Sequence, residues 1–242
     1  MIPVPNPPPG PGPATAPNFN HLARPYRWLE YLTFGPFLNR TRRHFLPQLA
    51  NCRQALVLGD GDGRFTAALL QRNPAIHIHA VDGSQAMLDA LFRRTQTYAN
   101  RLTITRADIR HWSPSLASKR TPSQAAELGD LISTHFFLDC LTTQEVQALA
   151  VRLAPALASN ALWVVSDFAV PTGLFGHFVA APIVAALYRA FRLLTGLGPQ
   201  SLPNHRAALA AAGWVLQAEK PRLCGLLISE LWARRPSSDP GS

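Results

Sequence analysis

The chain has 242 residues and a mass of 26.4 kDa, which suits one large domain or two small ones. Hydrophobic residues make up 47% of it and the mean hydropathy is +0.02, so the composition excludes a wholly disordered chain. The 23 basic and 14 acidic residues give a net charge of +9, which fits an anionic partner and equally an arginine-rich genome.

Both ends of the chain are expected to be tails. Residues 1–18 are rich in proline and lack the charged and apolar regions of a signal peptide, so they predict a disordered segment. Residues 236–242 predict a second tail. Between them, no linker interrupts residues 19–235, which predict a single domain. Its first part, residues 19–50, is rich in aromatic residues and arginine and predicts a helical cap of two helices that break near Gly35.

Apolar strand-like runs alternate with helical segments through the rest of the domain. The predicted strands are 54–58, 76–81, 102–105, 130–134, 161–166, 214–218 and 225–232. The predicted helices are 64–72, a helix capped by Ser84 that ends near residue 95, 143–157 and 204–212. Five strands that alternate with helices predict an α/β fold with a mostly parallel sheet.

One long segment carries no charge. Residues 168–188 contain no Asp, Glu, Lys or Arg, and 21 such residues could span a membrane. Pro171 and Pro182 interrupt the segment, so we interpret residues 168–203 as an inserted hydrophobic lid, a loop followed by a helix. Because Arg189 follows the apolar stretch, peripheral contact with a membrane is the second interpretation and a spanning helix the third.

The three cysteines limit the kind of site and the compartment. Cys52, Cys140 and Cys224 are isolated from one another, and an odd number at such spacing excludes a disulfide framework and a thiolate zinc site. We therefore expect no metal. The cysteines fit a reducing, cytoplasmic location, with the inner face of the membrane as the place of any peripheral contact.

A glycine-rich turn follows the first predicted strand. Gly59, Gly61 and Gly63 come directly before a helix, where glycine allows a tight turn and a close approach of the backbone to a ligand. The N–H groups at the start of that helix could bind an anionic group. A turn of this kind without further support is often only a turn.

Acidic residues follow the next two strands. Asp82 closes the second strand, 19 residues after Gly63, and a carboxylate there could accept two hydrogen bonds from a ribose diol. Asp108 follows the third strand and could bind an adenine amino group, with Ile109 packed on the ring. Because open α/β sheets bind ligands at the carboxyl ends of their strands, the two acids predict a nucleotide-like ligand. NAD fits less well, since its fingerprint requires a glycine where Arg64 stands.

Together these motifs resemble the class I S-adenosylmethionine-dependent methyltransferases over residues 54–234. Residues 81–88, Val-Asp-Gly-Ser-Gln-Ala-Met-Leu, are similar to the family's second motif, and residues 134–139 to its segment after the fourth strand. The resemblance implies a Rossmann-like seven-stranded sheet with an antiparallel last strand, and S-adenosylmethionine as the cofactor. The implied cofactor-binding residues are Gly59, Asp60, Gly61, Gly63, Asp82, Gly83, Met87, Asp108, Ile109 and His135.

Two further features relate the chain to that family. Residues 19–26 are similar to the opening of the ubiquinone/menaquinone C-methyltransferase-like branch. The family usually has an acid two residues before the first glycine, where this chain has Val57. Our hypothesis is that Asp60 instead contacts the amino group at the methionine end of the cofactor.

Methyl transfer needs orientation of the reactants, and it needs a base only when the acceptor must lose a proton. The candidates near the ends of the fourth and fifth strands are His135, Asp139, Asp167 and His177. We assign the catalytic role to His135, because the resemblance places it beside the methyl donor, and a purely structural role at the strand end stays open. Asp139 could instead cap the next helix, and Asp167 could line the pocket or stabilise a turn.

The acceptor is indicated by the sequence after the fourth strand and by the lid. Family members that methylate amino groups of nucleic-acid bases have an Asn/Asp-Pro-Pro-Tyr/Phe segment there, whereas residues 134–137 read Thr-His-Phe-Phe. We therefore do not expect nucleic acid as the partner. The aromatic lid and cap predict a small lipophilic acceptor bound by Phe136, Phe168 and Phe175, although these rings could also serve only to fill the core.

Other functions remain open. The net charge would suit an RNA or protein methyltransferase. The missing acid at position 57 would suit a protein that binds S-adenosylmethionine or a nucleotide without transferring a methyl group. The arginines of residues 24–53 could meet an anionic membrane or RNA, or could form a solvated helix face. The oligomeric state is not predicted.

Overall fold

The structure, a computed structural model, describes residues 35–114, 129–171, 173–174, 176–185 and 202–235. The predicted tails, residues 19–34 of the predicted cap and Phe175 lie outside these ranges. The strands are β1 (Gln54–Leu58), β2 (His77–Asp82), β3 (Leu102–Arg106), β4 (Gly129–His135), β5 (Leu157–Phe168), β6 (Trp214–Arg222) and β7 (Leu227–Arg234). The α-helices are α1 (Gly35–Arg42), α2 (Arg64–Arg72), α3 (Gln85–Thr95), α4 (Thr143–Leu153) and α5 (His205–Ala211).

The seven strands form one sheet in the order β3-β2-β1-β4-β5-β7-β6. β1 to β5 are parallel, and β7 runs antiparallel between β5 and β6. The predicted fold class, a Rossmann-like mostly parallel sheet with an antiparallel last strand, is therefore confirmed. The strand order reverses between β1 and β4, where open sheets of this kind form a ligand-binding crevice.

Side-chain caps explain where three helices begin. The Ser84 hydroxyl accepts a hydrogen bond from the backbone N–H of Met87 at the start of α3, as predicted. At α4, Thr142 and Glu145 form a reciprocal capping box. Asn204 accepts from the N–H of Ala207 at the start of α5. Each cap satisfies an N–H group that the helix itself leaves without a partner.

The sheet is longer at two places than the hydrophobic pattern predicts. α4 ends at Leu153, four residues before the predicted end of the helix, and a 3-10 turn at Ala154–Ala156 leads directly into β5. β6 continues to Arg222 because residues 219–222 pair with β7. This part of β6 contains Pro221, which an edge strand tolerates because one side of it needs no ladder hydrogen bonds.

Each face of the sheet buries a hydrophobic core. One core lies against α4 and α5 and includes Trp163, Leu149 and Trp214. The other lies against α2 and α3 and includes Phe65 and Leu91. The helices therefore cover both faces, which leaves the carboxyl ends of the parallel strands as the edge where a ligand can bind.

A buried carboxylate connects α5 to the antiparallel strands. Glu230 of β7 is fully buried and accepts hydrogen bonds from His205 at 3.0 Å, Arg206 at 2.6 Å and the Trp232 indole at 2.9 Å. These partners outweigh the effect of burial and lower the pKa of Glu230. Arg206 also pairs with Glu219 on the exposed side. The network fixes α5 on the last strands.

α1 lies against the carboxyl end of the sheet. It begins at Gly35, near the predicted break, and Leu38 packs with Phe136 and Leu227. The Ser166 hydroxyl of β5 donates a hydrogen bond to the backbone carbonyl of Thr41 at 3.3 Å. These contacts bring the last turn of α1, which carries Arg42, close to the end of β4.

The described part of the predicted lid lies beside the same edge. Gly176–Ala180 forms a π-helical turn, and residues 181–185 continue as helix. Ala180 and Val184 pack against Leu226, whereas the side chains of Leu174 and Phe178 are 77% and 69% exposed. Within the described ranges, no helix combines the length and apolar character needed to cross a membrane.

Candidate functional site

The three predicted glycines form one turn between β1 and α2. Gly59, Gly61 and Gly63 have φ angles of +66°, +60° and +77°, a backbone conformation that favours glycine. A Cβ atom at Gly59 would lie 2.6 Å from Cγ of Phe137, and one at Gly63 would lie 2.9 Å from Cα of Leu91. These two positions therefore have no space for a larger residue.

Gly61 and its surroundings are more open. Among the residues that the structure describes, a Cβ atom at Gly61 would meet only the Met87 sulfur, at 3.7 Å. Gly83 is similarly open, since a Cβ atom there would meet, within the described ranges, only the Ala107 carbonyl oxygen, at 3.7 Å. Arg94 of α3 holds the loop by donating to the backbone oxygen and the carboxylate of Asp62, each at 2.8 Å. The loop is thus fixed while its middle stays accessible to a ligand.

Asp82 lies at the end of β2, beside the glycine loop. Its carboxylate accepts a hydrogen bond from the backbone N–H of Ser84 at 2.8 Å. Burial raises the pKa of Asp82 to about 6, against the opposing effect of hydrogen bonds from the N–H groups of Ser84 and Gly61. The group is therefore mostly ionised at neutral pH and can accept hydrogen bonds from hydroxyl groups.

Asp108 and Ile109 follow β3, the strand next to β2, and lie at the same edge of the sheet as Asp82. The side chain of Asp108 is 45% exposed and pairs with Arg110 at 3.9 Å and His111 at 3.4 Å. The N–H of Ala107 donates to the backbone oxygen of Asp82 at 3.1 Å, which links the two acidic segments. Ile109 is only 4% exposed, because it packs in the core against α4.

Asp60 is directed toward the first turn of α2. Its Oδ2 accepts from the backbone N–H of Thr66 at 2.8 Å and from the Thr66 hydroxyl at 2.7 Å. Burial raises the pKa of the carboxyl, while the bonds from Thr66 and the charge of Arg42 oppose that rise. Asp60 thus stabilises the loop and the helix start. Its contact with a cofactor amino group stays a prediction.

His135, the last residue of β4, is 3% exposed. The centroid of its ring lies 4.1 Å from that of Phe65. Neither ring nitrogen has a hydrogen-bond partner in the part of the chain that the structure describes. Burial, aided by the charge of Arg42, holds the pKa of His135 well below its usual range. The imidazole is therefore neutral, and its predicted role as a base stays a prediction.

Phe136 adopts an unusual backbone conformation next to His135. Its φ angle is +53°, and its N–H donates to the carbonyl of Ser166 at 2.7 Å. The centroid of its ring lies 5.3 Å from that of Phe168. The guanidinium carbon of Arg42 lies 4.9 Å from the centroid of the Phe136 ring. Strained residues of this kind occur often at functional sites. The structure thus brings together two of the three predicted acceptor-binding rings.

Two neighbouring carboxyl groups, those of the half-buried Asp139 and the buried Asp167, lie at the ends of β4 and β5. Oδ2 of Asp167 accepts from the backbone N–H of Asp139 at 3.2 Å, and Asp167 is 1% exposed. Burial and the neighbouring Asp139 raise the pKa of Asp167 well above its usual range, and burial raises that of Asp139 to about 6. The cap of α4 is formed by Thr142, so Asp139 does not have the capping role considered from the sequence.

Sequence reasoning missed three site residues. Phe137 places its ring against Gly59, Arg94 fixes the glycine loop, and Arg42 reaches the end of β4 from α1. The aromatic and basic residues were visible in the sequence, but no spacing rule connects them to residues so far along the chain. Among the described residues, no group of three or more His, Cys, Asp or Glu side chains could hold a metal ion.

Comparison with known proteins gives structural neighbours only. No family model matches the chain, and no curated protein matches it significantly in sequence. The mitomycin 7-O-methyltransferase MmcR has a TM-score of 0.65 at 17% identity over 90% of this chain and 60% of its own. Magnesium protoporphyrin IX methyltransferase (ChlM) from Synechocystis PCC 6803, with bound SAH, has a TM-score of 0.62 at 15% identity over 90% and 96%.

A third neighbour is the N-methyltransferase NodS from Bradyrhizobium japonicum WM9 in complex with S-adenosyl-L-homocysteine. Its TM-score is 0.56 at 16% identity, over 83% of this chain and 89% of its own. The chain thus has the fold of S-adenosylmethionine-dependent methyltransferases, and it spans about 60% of the length of MmcR. The neighbours do not single out the ubiquinone/menaquinone branch that residues 19–26 resemble.

Proposed function

We propose that this chain is an S-adenosylmethionine-dependent methyltransferase that acts on a small lipophilic acceptor. The observation that carries the proposal is the glycine turn of β1 together with Asp82 and Asp108 at the ends of β2 and β3. The same fold occurs in two neighbours that contain S-adenosylhomocysteine.

The residues at this edge fit such a cofactor. Gly61 and Gly83 leave the backbone open, and Met87 lies beside Gly61. Asp82 is ionised at neutral pH and would accept hydrogen bonds from the ribose diol, while the half-exposed Asp108 would accept one from the adenine amino group. Ile109 offers little surface to the adenine ring, because it is buried in the core.

The cofactor supplies an electrophilic methyl group, and the chain must orient the acceptor and exclude water. Phe136 directly follows β4, Phe168 is the last residue of β5, and both pack in one cluster with Leu38 and Leu227. This apolar group would form one wall of the acceptor pocket. The exposed Leu174 and Phe178 would extend that wall toward solvent. These contacts support an acceptor with a lipophilic body.

An acceptor that loses a proton needs a group to receive it. The sequence predicts His135 for this role, but burial lowers the pKa of its imidazole, and the neutral ring is therefore a weak base. Burial raises the pKa of Asp139 to about 6, and its backbone N–H donates to the carboxylate of Asp167, so the two carboxyls at the ends of β4 and β5 offer a stronger base. A base role of His135 stays a prediction, and we propose this carboxyl pair as the competing base.

A non-catalytic protein that binds S-adenosylmethionine is the second candidate, because the proposed base His135 is buried without a hydrogen-bond partner in the described ranges. An RNA or protein methyltransferase receives support only from the net charge of +9. Formation of S-adenosylhomocysteine from S-adenosylmethionine, measured with a panel of lipophilic phenols and quinones, tests the proposal. Turnover with a panel member supports it. Cofactor binding without turnover on lipophilic, RNA and peptide acceptors would favour the non-catalytic candidate.

A further inference from the structure

The turn that connects β6 to β7 adjoins both the end of α1 and the lid. This turn is Leu223–Gly225. Leu223 packs against two clusters, one that contains Leu38 of α1 and one that contains Val184 of the lid. Exposed apolar residues of the lid and basic residues beside α1 are therefore neighbours around one turn.

The apolar residues belong to the lid, are aliphatic and are all exposed. They form what we call the apolar rim, which consists of Val170 at 44%, Leu174 at 77% and Val179 at 41% exposed. The backbone beside them is fixed to the turn, because the N–H of Ala169 donates to the carbonyl of Leu226 at 2.9 Å. A Cβ atom at Gly225 would also lie 2.9 Å from Cβ of Pro171. The rim is thus held in a place where contact with an apolar phase would remove it from water.

Three basic side chains, which we call the basic cluster, meet where β6 ends beside α1. The guanidinium of Arg222 lies 3.4 Å from Nδ1 of His44. Lys220 lies two residues before Arg222 on β6, and alternate residues of a strand share a face. Burial and the charges of Arg222 and Lys220 lower the pKa of His44, so the two cations lie close to the imidazole.

No carboxylate neutralises the basic cluster within the described part of the chain. None of its three members forms an ion pair there, and the buried Nε of Arg222 has no hydrogen-bond partner among those residues. Glu219, the acidic residue of β6, pairs with Arg206 instead. Lys220 is exposed, so the cluster presents a positive charge to solvent that an anionic partner would neutralise.

We propose that the apolar rim and the basic cluster together form a docking surface for an anionic lipid bilayer. The aliphatic side chains of the rim enter the interface between headgroups and acyl chains, while the cations of the cluster contact lipid phosphates. The sequence indicated Arg189 for such a contact, and that residue lies outside the described ranges. The cations that the structure supplies come instead from β6 and from the segment after α1.

Two other partners fit this surface less well. RNA would use the cluster, but three of the four exposed apolar side chains in the described part of the lid are aliphatic and cannot stack on bases. A second copy of the chain would bring another net charge of +9 to the contact. An anionic bilayer uses both the charges and the apolar side chains.

Co-sedimentation of the full chain with lipid vesicles tests the proposal. One series of vesicles is pure phosphatidylcholine, and the other contains equal parts of phosphatidylcholine and the anionic phosphatidylglycerol. We expect at least about tenfold tighter binding to the anionic vesicles, and a loss of that binding as the salt concentration rises. The assay needs neither cofactor nor turnover, so its result is independent of the proposed methyl transfer.

Two variants with matched controls test the two halves of the surface. Lys220→Gln should weaken binding to the anionic vesicles about fivefold. Arg72→Gln removes the same charge from an exposed residue at the end of α2, at the opposite edge of the sheet, and should weaken binding less than about twofold. Leu174→Asn should weaken binding about tenfold, whereas Val151→Asn, at an exposed valine near the end of α4, should weaken it less than about twofold. All four variants should keep the melting temperature of the unaltered chain.

Several results would overturn the docking surface. These are absence of binding to the anionic vesicles, equal binding to both kinds of vesicle, and equal effects of a variant and its control. Binding of polyuridine RNA without binding of vesicles would identify RNA as the partner instead. A dimer in light scattering that Leu174→Asn dissociates, again without binding of vesicles, would identify a second copy of the chain.

Discussion

Replacement of Gly59 by alanine should destabilise the protein for two separable reasons. The first is the backbone, since a φ angle of +66° costs a residue with a Cβ atom about 1–2 kcal/mol. The second is space, because the new Cβ atom would lie 2.6 Å from Cγ of Phe137, and displacing a packed ring costs about 1–3 kcal/mol. The expected total loss in the free energy of unfolding is therefore about 2–5 kcal/mol.

Gly213 provides a matched control for the backbone part. Its φ angle is +85°, and a Cβ atom there would meet no atom of the described part of the chain within 4 Å. Gly213→Ala should therefore show the backbone cost alone, and the difference between the two variants should be about 1–3 kcal/mol. Urea denaturation followed by tryptophan fluorescence measures both free energies of unfolding.

A double-mutant cycle with Phe137→Ala isolates the ring. Removal of the ring should make Gly59→Ala less costly by about 1–3 kcal/mol than it is in the unaltered chain. Equal losses for Gly59→Ala and Gly213→Ala, together with no coupling in the cycle, would refute the close approach of Phe137 to the glycine loop.

Three further predictions concern the caps, the buried network and Asp82. Glu230→Gln should lower the free energy of unfolding by about 3–5 kcal/mol, because it disrupts a fully buried charged network. Glu219→Gln, at an exposed partner of the same Arg206, is the control and should lower it by less than about 1 kcal/mol. Similar losses for the two variants in urea denaturation would contradict the network. Thr142→Ala should cost about 1 kcal/mol through loss of the α4 cap, and an unchanged urea midpoint would argue against the capping box. Because Asp82 has a pKa of about 6 and would bind the ribose as a carboxylate, affinity for S-adenosylhomocysteine should fall about tenfold as the pH drops from about 7 to 5. Calorimetry at several pH values checks this, and the same slope in Asp82→Asn would assign the pH dependence to another group.

Much of the central sheet could be predicted from the sequence, because local patterns determine it. Ser84 capped the third helix as expected, and the glycines with Asp82 and Asp108 meet at one edge because parallel strands end on the same side. The length of β6 could not be predicted, since Glu219 and Lys220 are in a strand only through pairing with β7.

The site itself was less predictable, because its contacts join distant parts of the chain. Asp60 is an acidic residue in the glycine loop, which predicts a contact with a ligand, yet its carboxylate accepts hydrogen bonds from Thr66. The prediction for His135 depends on the family resemblance, which places it beside the methyl donor, whereas its burial and its neighbour Arg42 follow from the packing of α1. No pattern in the sequence relates residue 42 to residue 135.

The central claim is that the glycine loop and Asp82 bind S-adenosylmethionine. Calorimetric titration of the unaltered chain and of Asp82→Ala with S-adenosylmethionine, and in parallel with NAD, tests it most directly. We predict binding of S-adenosylmethionine alone, with a loss of about 1.5–3 kcal/mol in Asp82→Ala from the missing hydrogen bonds to a charged group. Binding of neither compound, or equal affinity in the two proteins, would contradict the account.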